Sequence, residues 1–500
     1  MTSAADQELG ERVLAEVRRT APGAEADVLV TTSTLALTRF ANSAIHQNVT
    51  DTGTSLSLRV NVNGRTAAAS LTVAPDQAAA DAVRSLAERA VAACEVLPVD
   101  PGWPGLTTSG KLAHSGNYDE ETAHAAPAVR ADMVRAFIDG ASGLSAAGVC
   151  QTSSVARTYA NTAGHQVSGL ASESTVDGIA RAARDGGGFA DGVAKLTAVR
   201  LTDIDPAALG ATAAAKATAS LSPVDLAPGR YEVVIEPSAA AQVLFYLGMY
   251  AFNGRAVNEG RSFVRPGQPQ FDPSLTLLDD PESEDAVGMP FDADGTVKRR
   301  LTLIDAGVTA TAVHSRRTAA EAGAESTGHA HPRRRPVRRA AAASASPRRS
   351  RRDRRRPGLR GDGRAAGQRL LVCPRAGPTH PGHPGLTRNG LWRIQDGRVT
   401  EPVGNLRFTQ SYADAFGPGN LLAIAPTRSA SAPPATPSTP PTGSRCRHCD
   451  SPHGISPAAP RADFPFVRAK ADVGCCLDLR WTCSTVSTAV GVVLVSGDPR

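Results

Sequence analysis

Cys446-Arg-His-Cys449 is one grouping in this chain with residue types and spacing suited to chemistry, since two thiolates in a CxxC can chelate a zinc ion. A zinc ribbon needs a second such pair. The thiols on offer, Cys475 and Cys476, are adjacent, and the preceding SASAPPATPSTPPTGS is too poor in apolar residues to build a core around them. His329 and His331 have the spacing of strand or loop ligands but no carboxylate or cysteine partner recognisable by spacing. Neither grouping is read as a metal site.

Two polar groups remain. Arg39, Asn42, His46 and Gln47 share a short stretch where polar side chains on strands can hold an extended peptide, although surface and turn duty is the preferred reading. Asn253, Arg255, Glu259 and Arg261 form the second group, in which an ion pair from Glu259 to either arginine is preferred over catalysis.

The elements that would position these residues read as α+β. Leu9, Val13, Leu14 and Val17 share a helical face, and DVLVTT (27–32) and LALTRF (35–40) read as short strands. In SLSLRVNV (55–62) apolar and polar residues alternate, and Asn63-Gly64 supplies a two-residue hairpin into RTAAASLT. Helical periodicity returns at 76–94 and 205–221. Strands then dominate: PGRYEVVIEP (228–237), LTLLDD (275–280), the stretch 291–308 with an Asp-Gly turn, and 385–408 with a second at Asp396-Gly397. A helix-and-antiparallel-sheet domain followed by a β-rich C-terminal domain is expected.

Aromatic residues make up only 4% of the 500 residues, which leaves the cores to Val, Leu, Ile and Ala. The start has no apolar signal core and no run is long enough to span a membrane, so a cytoplasmic location is expected. Eight cysteines in such a chain are not read as a disulfide framework.

In family order, TRFANSAIHQN (38–48), PGRYEVVIEPSAAAQVLFYLGMYAFNGRAVNEGRSF (228–263), LTLLDDP (275–281), GMPFDADG (288–295), TAAEAGAESTGHA (318–330) and PVGNLRFTQS (402–411) resemble the TldD/PmbA family of metallopeptidases, also called modulators of DNA gyrase. The resemblance implies an N-terminal α+β domain, a β-rich C-terminal domain, dimers around an internal chamber and hydrolysis of peptides or unfolded chains. It further implies two kinds of member: a TldD-like subunit with a helical HExxxH, and a PmbA- or TldE-like subunit without one. Two histidines four apart on a helix can ligate one zinc while the glutamate polarises the attacking water. No HExxH or HExxxH occurs here, and no histidine lies between His165 and His314. The chain is therefore expected to be a PmbA/TldE-like, non-catalytic subunit with no cofactor of its own. Zinc is expected only in a TldD-like partner, with self-association as the alternative assembly. The resemblance puts Asn253, Arg255, Glu259 and Arg261 where the active subunit carries its metal helix and following loop.

Between His329 and Arg369 the sequence holds fifteen arginines and two aspartates, so this stretch carries +13 of a net charge of +6 and the other residues sum to −7. A nucleic-acid tail would act by phosphate neutralisation, but the stretch has no aromatic residue for base stacking and interrupts a β-rich region. A loop insertion of this length is unusual in a compact domain. The favoured reading is translation out of frame. PRAGPTHPGH (374–383), started one nucleotide later, permits R-V-L-D-P-R-T-R-V-T, directly before an in-frame GLTRNG; ASASPRR (343–349) read from its third nucleotide permits L-S-L-A-P. The two shifts differ, so more than one insertion or deletion is required. The domains expected are 1–200 and 201–330 with 385–425, an aberrant insertion at 331–384, and a low-complexity, disordered tail at 426–500.

Overall fold

A computed structural model describes residues 4–74, 79–108, 110–112, 114–227, 229–331, 382–387, 390–395, 398–424, 467–474 and 492–495. The arginines of the stretch, the CxxC and Cys475-Cys476 lie outside the described residues.

Helix α1 (Ala4–Thr20) leads into strands β1 (Glu25–Ala41), β2 (Ala44–Val62) and β3 (Arg65–Val73), then helix α2 (Ala80–Val96). Helices α3 (Glu120–Ala123) and α4 (Pro127–Gly140) precede β4 (Ser145–Asn161), β5 (Gln166–Ala183) and β6 (Phe189–Ala198), followed by α5 (Pro206–Ala219). The six strands form one sheet in the order β3-β2-β1-β4-β5-β6, with every neighbouring pair antiparallel. Asn63 (φ 51°) and Gly64 (φ 76°) make the left-handed turn between β2 and β3, as their sequence predicts.

The segments 27–32 and 35–40 are not two strands, as expected, but parts of one 17-residue strand. Ser33 and Thr34 do not break it, because β2 and β4 pair with it on both sides through that point. Propensity yields to the ladder.

All four long helices cover one face of this sheet. Val28, Val30, Leu56, Leu58 and Val60 pack with Val13, Leu14 and Val17 of α1 and Val83, Leu86 and Ala90 of α2. Farther along, Phe40, Cys150, Val176 and Ala180 pack with Phe137 of α4 and Ala213 and Ala217 of α5. The helices α4 and α5 approach so closely that a Cβ at Gly210 would run into the Phe137 carbonyl, and one at Gly140 into that of Ala207. Burial of this apolar layer is the main stabilising term in the domain.

The chain continues through β7 (Gly229–Ile235), α6 (Pro237–Tyr246), a π-helical turn (Leu247–Ala251) and α7 (Gly254–Asn258). Strands β8 (Leu277–Asp279), β9 (Leu301–Asp305) and β10 (Val308–Thr309) form a small sheet, and α8 (Arg316–Ala322) follows. The remaining elements are β11 (Gly382–Leu386), β12 (Leu391–Gln395), β13 (Arg398–Pro402), β14 (Arg407–Ser411), α9 (Tyr412–Ala415), β15 (Leu421–Ile424), β16 (Val467–Gly474) and β17 (Val492–Val495). With β7 these strands form a sheet ordered β11-β14-β16-β7-β17-β12-β13, to which β15 adds by pairing with β16. The expectation of an unstructured tail at 426–500 is corrected at β16 and β17, which flank β7 on its two sides. Val492–Val495 is rich in β-branched residues, which favour a strand. No helix among the described residues is long and apolar enough to cross a membrane, which leaves strand-built spans unaddressed.

Candidate functional site

Strand alternation gives the six-stranded sheet a second face, and among the described residues an apolar roof covers one end of it. Leu29, Tyr159 and Val167 point there and are roofed by Phe291, with Leu112 and Val297 alongside. The roof is the turn 291–297, and Gly295 (φ 73°) sits so close over Tyr159 that a Cβ would strike the ring. Beyond the roof, the same face of β1 presents Thr31, Ser33, Leu35, Leu37 and Arg39, all partly or largely exposed.

Arg39 and Gln47 are brought together there. They are register partners, and the guanidinium Nη1 donates to Gln47 Oε1 at 3.2 Å. The register shifts between Arg39 and Phe40, which pairs with Ile45, so His46 occupies a bulge and is exposed. Asn42 (φ 51°) with Ser43 (φ 58°) forms the left-handed turn that closes the hairpin, a backbone role that asparagine tolerates well.

The second quartet lies elsewhere. Asn253 caps α7, its Oδ1 accepting from the Arg255 and Ala256 amides at 3.0 and 3.4 Å. Glu259 takes Arg255 Nε at 2.8 Å and Arg261 Nε at 2.6 Å, and these two arginines hold its carboxyl below the usual range. Among the described residues no hydrogen bond or ion pair joins the two quartets. The second is a local staple on α7, in line with the ion pair expected there.

The helix after β7 does not fit a metal. From Pro237 to Asn258 the chain has no His, Cys, Asp or Glu, and the exposed side chains of this stretch include Leu244, Phe245, Met249 and Tyr250. Tyr246 and Tyr250 stack with ring centroids 6.0 Å apart. A hydrolytic zinc centre requires nitrogen or oxygen donors that these apolar and aromatic groups cannot supply. Among the described residues no group of three or more His, Cys, Asp and Glu side chains has a metal-holding arrangement.

Three features of the structure had no signal in local sequence. His329 Nε2 meets Asp279 Oδ2 at 2.9 Å, while Nδ1 faces the Thr327 carbonyl, also at 2.9 Å, so both ring nitrogens are engaged. Arg59 is gripped by Asp27 and by Asp294 of the roof turn, the latter at 2.8 Å. Arg157 is the third. It stands on β4 opposite Gly169 of β5, beside the roof, with its Nε buried and unpartnered. Burial lowers its pKa.

Two family profiles match: PmbA/TldA metallopeptidase domain 1 over residues 26–94, and the PmbA/TldA metallopeptidase C-terminal domain over 228–352. Both stretches are thus similar to the PmbA/TldD family. No curated protein sequence matches it. TldE from Thermococcus kodakarensis superposes with a TM-score of 0.70 at 15% identity, over 93% of this chain and 99% of that one. A candidate modulator of DNA gyrase from Bacteroides thetaiotaomicron gives 0.67 at 16%, covering 85% and 94%. Another from Thermotoga maritima gives 0.66 at 15%, covering 94% and 100%. At these identities the likeness establishes the PmbA/TldD fold, with its N-terminal helices on an antiparallel sheet and further sheets C-terminally.

Proposed function

We propose that this chain is the PmbA/TldE-like subunit of a PmbA/TldD-type metallopeptidase assembly, acting in the cytoplasm on peptides or unfolded chains without a catalytic centre of its own. The observation that carries this reading is the segment from Pro237 to Asn258, where α6 and the turns after it offer apolar and aromatic side chains and no metal donors. Likeness to TldE supports it. A TldD-like partner supplies zinc and the glutamate that activates water, while this subunit shapes and restricts access to the shared chamber. Arg39 and Gln47, joined on the uncovered sheet face, are its proposed peptide contacts, with His46 beside them.

The test is hydrolysis of an unfolded protein substrate by the purified chain, by a TldD-like subunit, and by the two mixed, each with and without a chelator, alongside metal analysis. Activity and stoichiometric zinc are expected only where the TldD-like subunit is present. Chelator-sensitive hydrolysis by this chain alone overturns the proposal.

A further inference from the structure

Arg157 has no counterion among the described residues. Among the described residues nothing hydrogen-bonds to it or pairs with it, and its Nε is sealed from solvent. Arg130 and Arg316 also leave Nε unpartnered, but their terminal nitrogens are served, Arg130 donating to the Ala125 carbonyl at 2.7 Å and Arg316 to the carbonyls of Pro104 and Leu106 at 3.0 Å each, while Arg59 binds two aspartates. An unsatisfied buried donor on a charged group is disfavoured unless something completes it. A guanidinium is completed best by a carboxylate, which meets its planar fork with two parallel hydrogen bonds.

The position narrows the source of that carboxylate. Arg157 stands on β4 where the uncovered face, with Val155 and Ser153 on the same side of the strand, meets the roofed end at Tyr159. Its register partner Gly169 is already beneath the roof, since a Cβ there would lie 2.9 Å from the Ser115 carbonyl and 3.1 Å from the Phe291 ring. An extended chain lying along the uncovered face toward Arg157 therefore meets a wall and must end.

We propose that Arg157 anchors the C-terminal carboxylate of an extended peptide lying on the uncovered face of the N-terminal sheet. This rests on the reading of the chain as a peptide-handling subunit and adds which end of the peptide is held and by what. Arg157 is a binding residue in this account, and no bond is made or broken at it.

The experiment uses the full chain, with a short dye-labelled Ala/Ser/Leu peptide as probe in three forms: free acid, C-terminal amide, and an amide carrying one internal Asp. Fluorescence anisotropy is read on the wild type, Arg157→Gln and Arg157→Lys. The free acid is expected to bind the wild type roughly tenfold or more tighter than the plain amide, as the loss of a charge-assisted hydrogen bond requires. Arg157→Gln should erase that difference and Arg157→Lys should keep part of it. Equal binding of acid and amide by the wild type needs no variant to interpret and overturns the proposal while leaving peptide handling intact. An Asp-bearing amide that binds as tightly as the free acid overturns the choice of the chain terminus. Absence of binding by every form overturns the anchor, whereas the wider subunit reading is decided separately by the hydrolysis test.

Discussion

Arg317 grips Asp100 through both carboxylate oxygens, Nη1 to Oδ1 at 2.9 Å and Nη2 to Oδ2 at 2.5 Å, tying α8 to the segment that follows α2. The forked contact, above all its hydrogen bonds, holds the Asp100 carboxyl down at about 2. A depressed acid contributes stability above its unfolded pKa of about 4 and loses it as pH falls toward the folded value. Asp100→Asn should therefore lower stability at neutral pH by about 1 kcal/mol. In denaturant titrations its deficit against the wild type should shrink between pH ~4 and ~2.

Asp292 behaves in the opposite sense. Its Oδ1 accepts from the Asp294 and Thr296 amides at 2.9 Å each and its Oδ2 from the Ala330 amide at 2.7 Å, yet burial first, and then the neighbouring Asp294, push its carboxyl up to about 6. A raised acid favours the folded state below its unfolded pKa of about 4, and that contribution drains away as pH rises through the folded value. Thermal melts should show a declining Tm between pH ~4 and ~6, and Asp292→Asn should flatten that slope.

The Arg59 cluster is a costly polar site to disturb. Its guanidinium and the carboxylates of Asp27 and Asp294 retain only 14%, 6% and 9% side-chain exposure. Arg59→Met strands two negative charges in a dry site and should destabilise the protein by about 3–5 kcal/mol. Adding Asp27→Asn and Asp294→Asn should recover much of that loss in the same chemical denaturation assay, because neutral groups are less costly to bury.

The arginine-rich stretch carries a prediction at the level of its gene. Restoring a single frame across the codons for 331–384 should recreate continuous PmbA/TldD-like sequence joining TAAEAGAESTGHA to GLTRNG, which sequencing and translation of that DNA checks directly. Nucleotides that offer no such frame would leave the stretch as authentic protein.

Much of the fold was legible because its patterns are local. The alternation in SLSLRVNV names the buried face of β2, and Asn63-Gly64 names its turn. The split of β1 into two strands failed because Ser33 and Thr34 look like a break, whereas they belong to a strand whose second face is uncovered and tolerates polar residues. Arg39 and Gln47 could be nominated from sequence because a short hairpin holds both. Arg157 could not, since its meaning depends on a roof contributed by Phe291, far along the chain. Asp279 as the partner of His329, and Asp294 as the partner of Arg59, were hidden for the same reason: such contacts are made by topology rather than by spacing.

Residues Ala44–Asp51 of the β1–β2 hairpin are exposed on both sides of the ribbon, unlike Leu56, Leu58 and Val60 farther down the same strand. Whereas its partner strand is locked by Phe40 in the core, the outer part of β2 is thus held by its ladder to β1, without an apolar layer of its own. Its backbone amides belong to the low end of the stability scale and those of Leu56–Val60 to the high end, so a single strand spans two cooperative units. The outer part of β2 can therefore separate and re-pair while β1, held by Phe40 and its ladder to β4, stays folded.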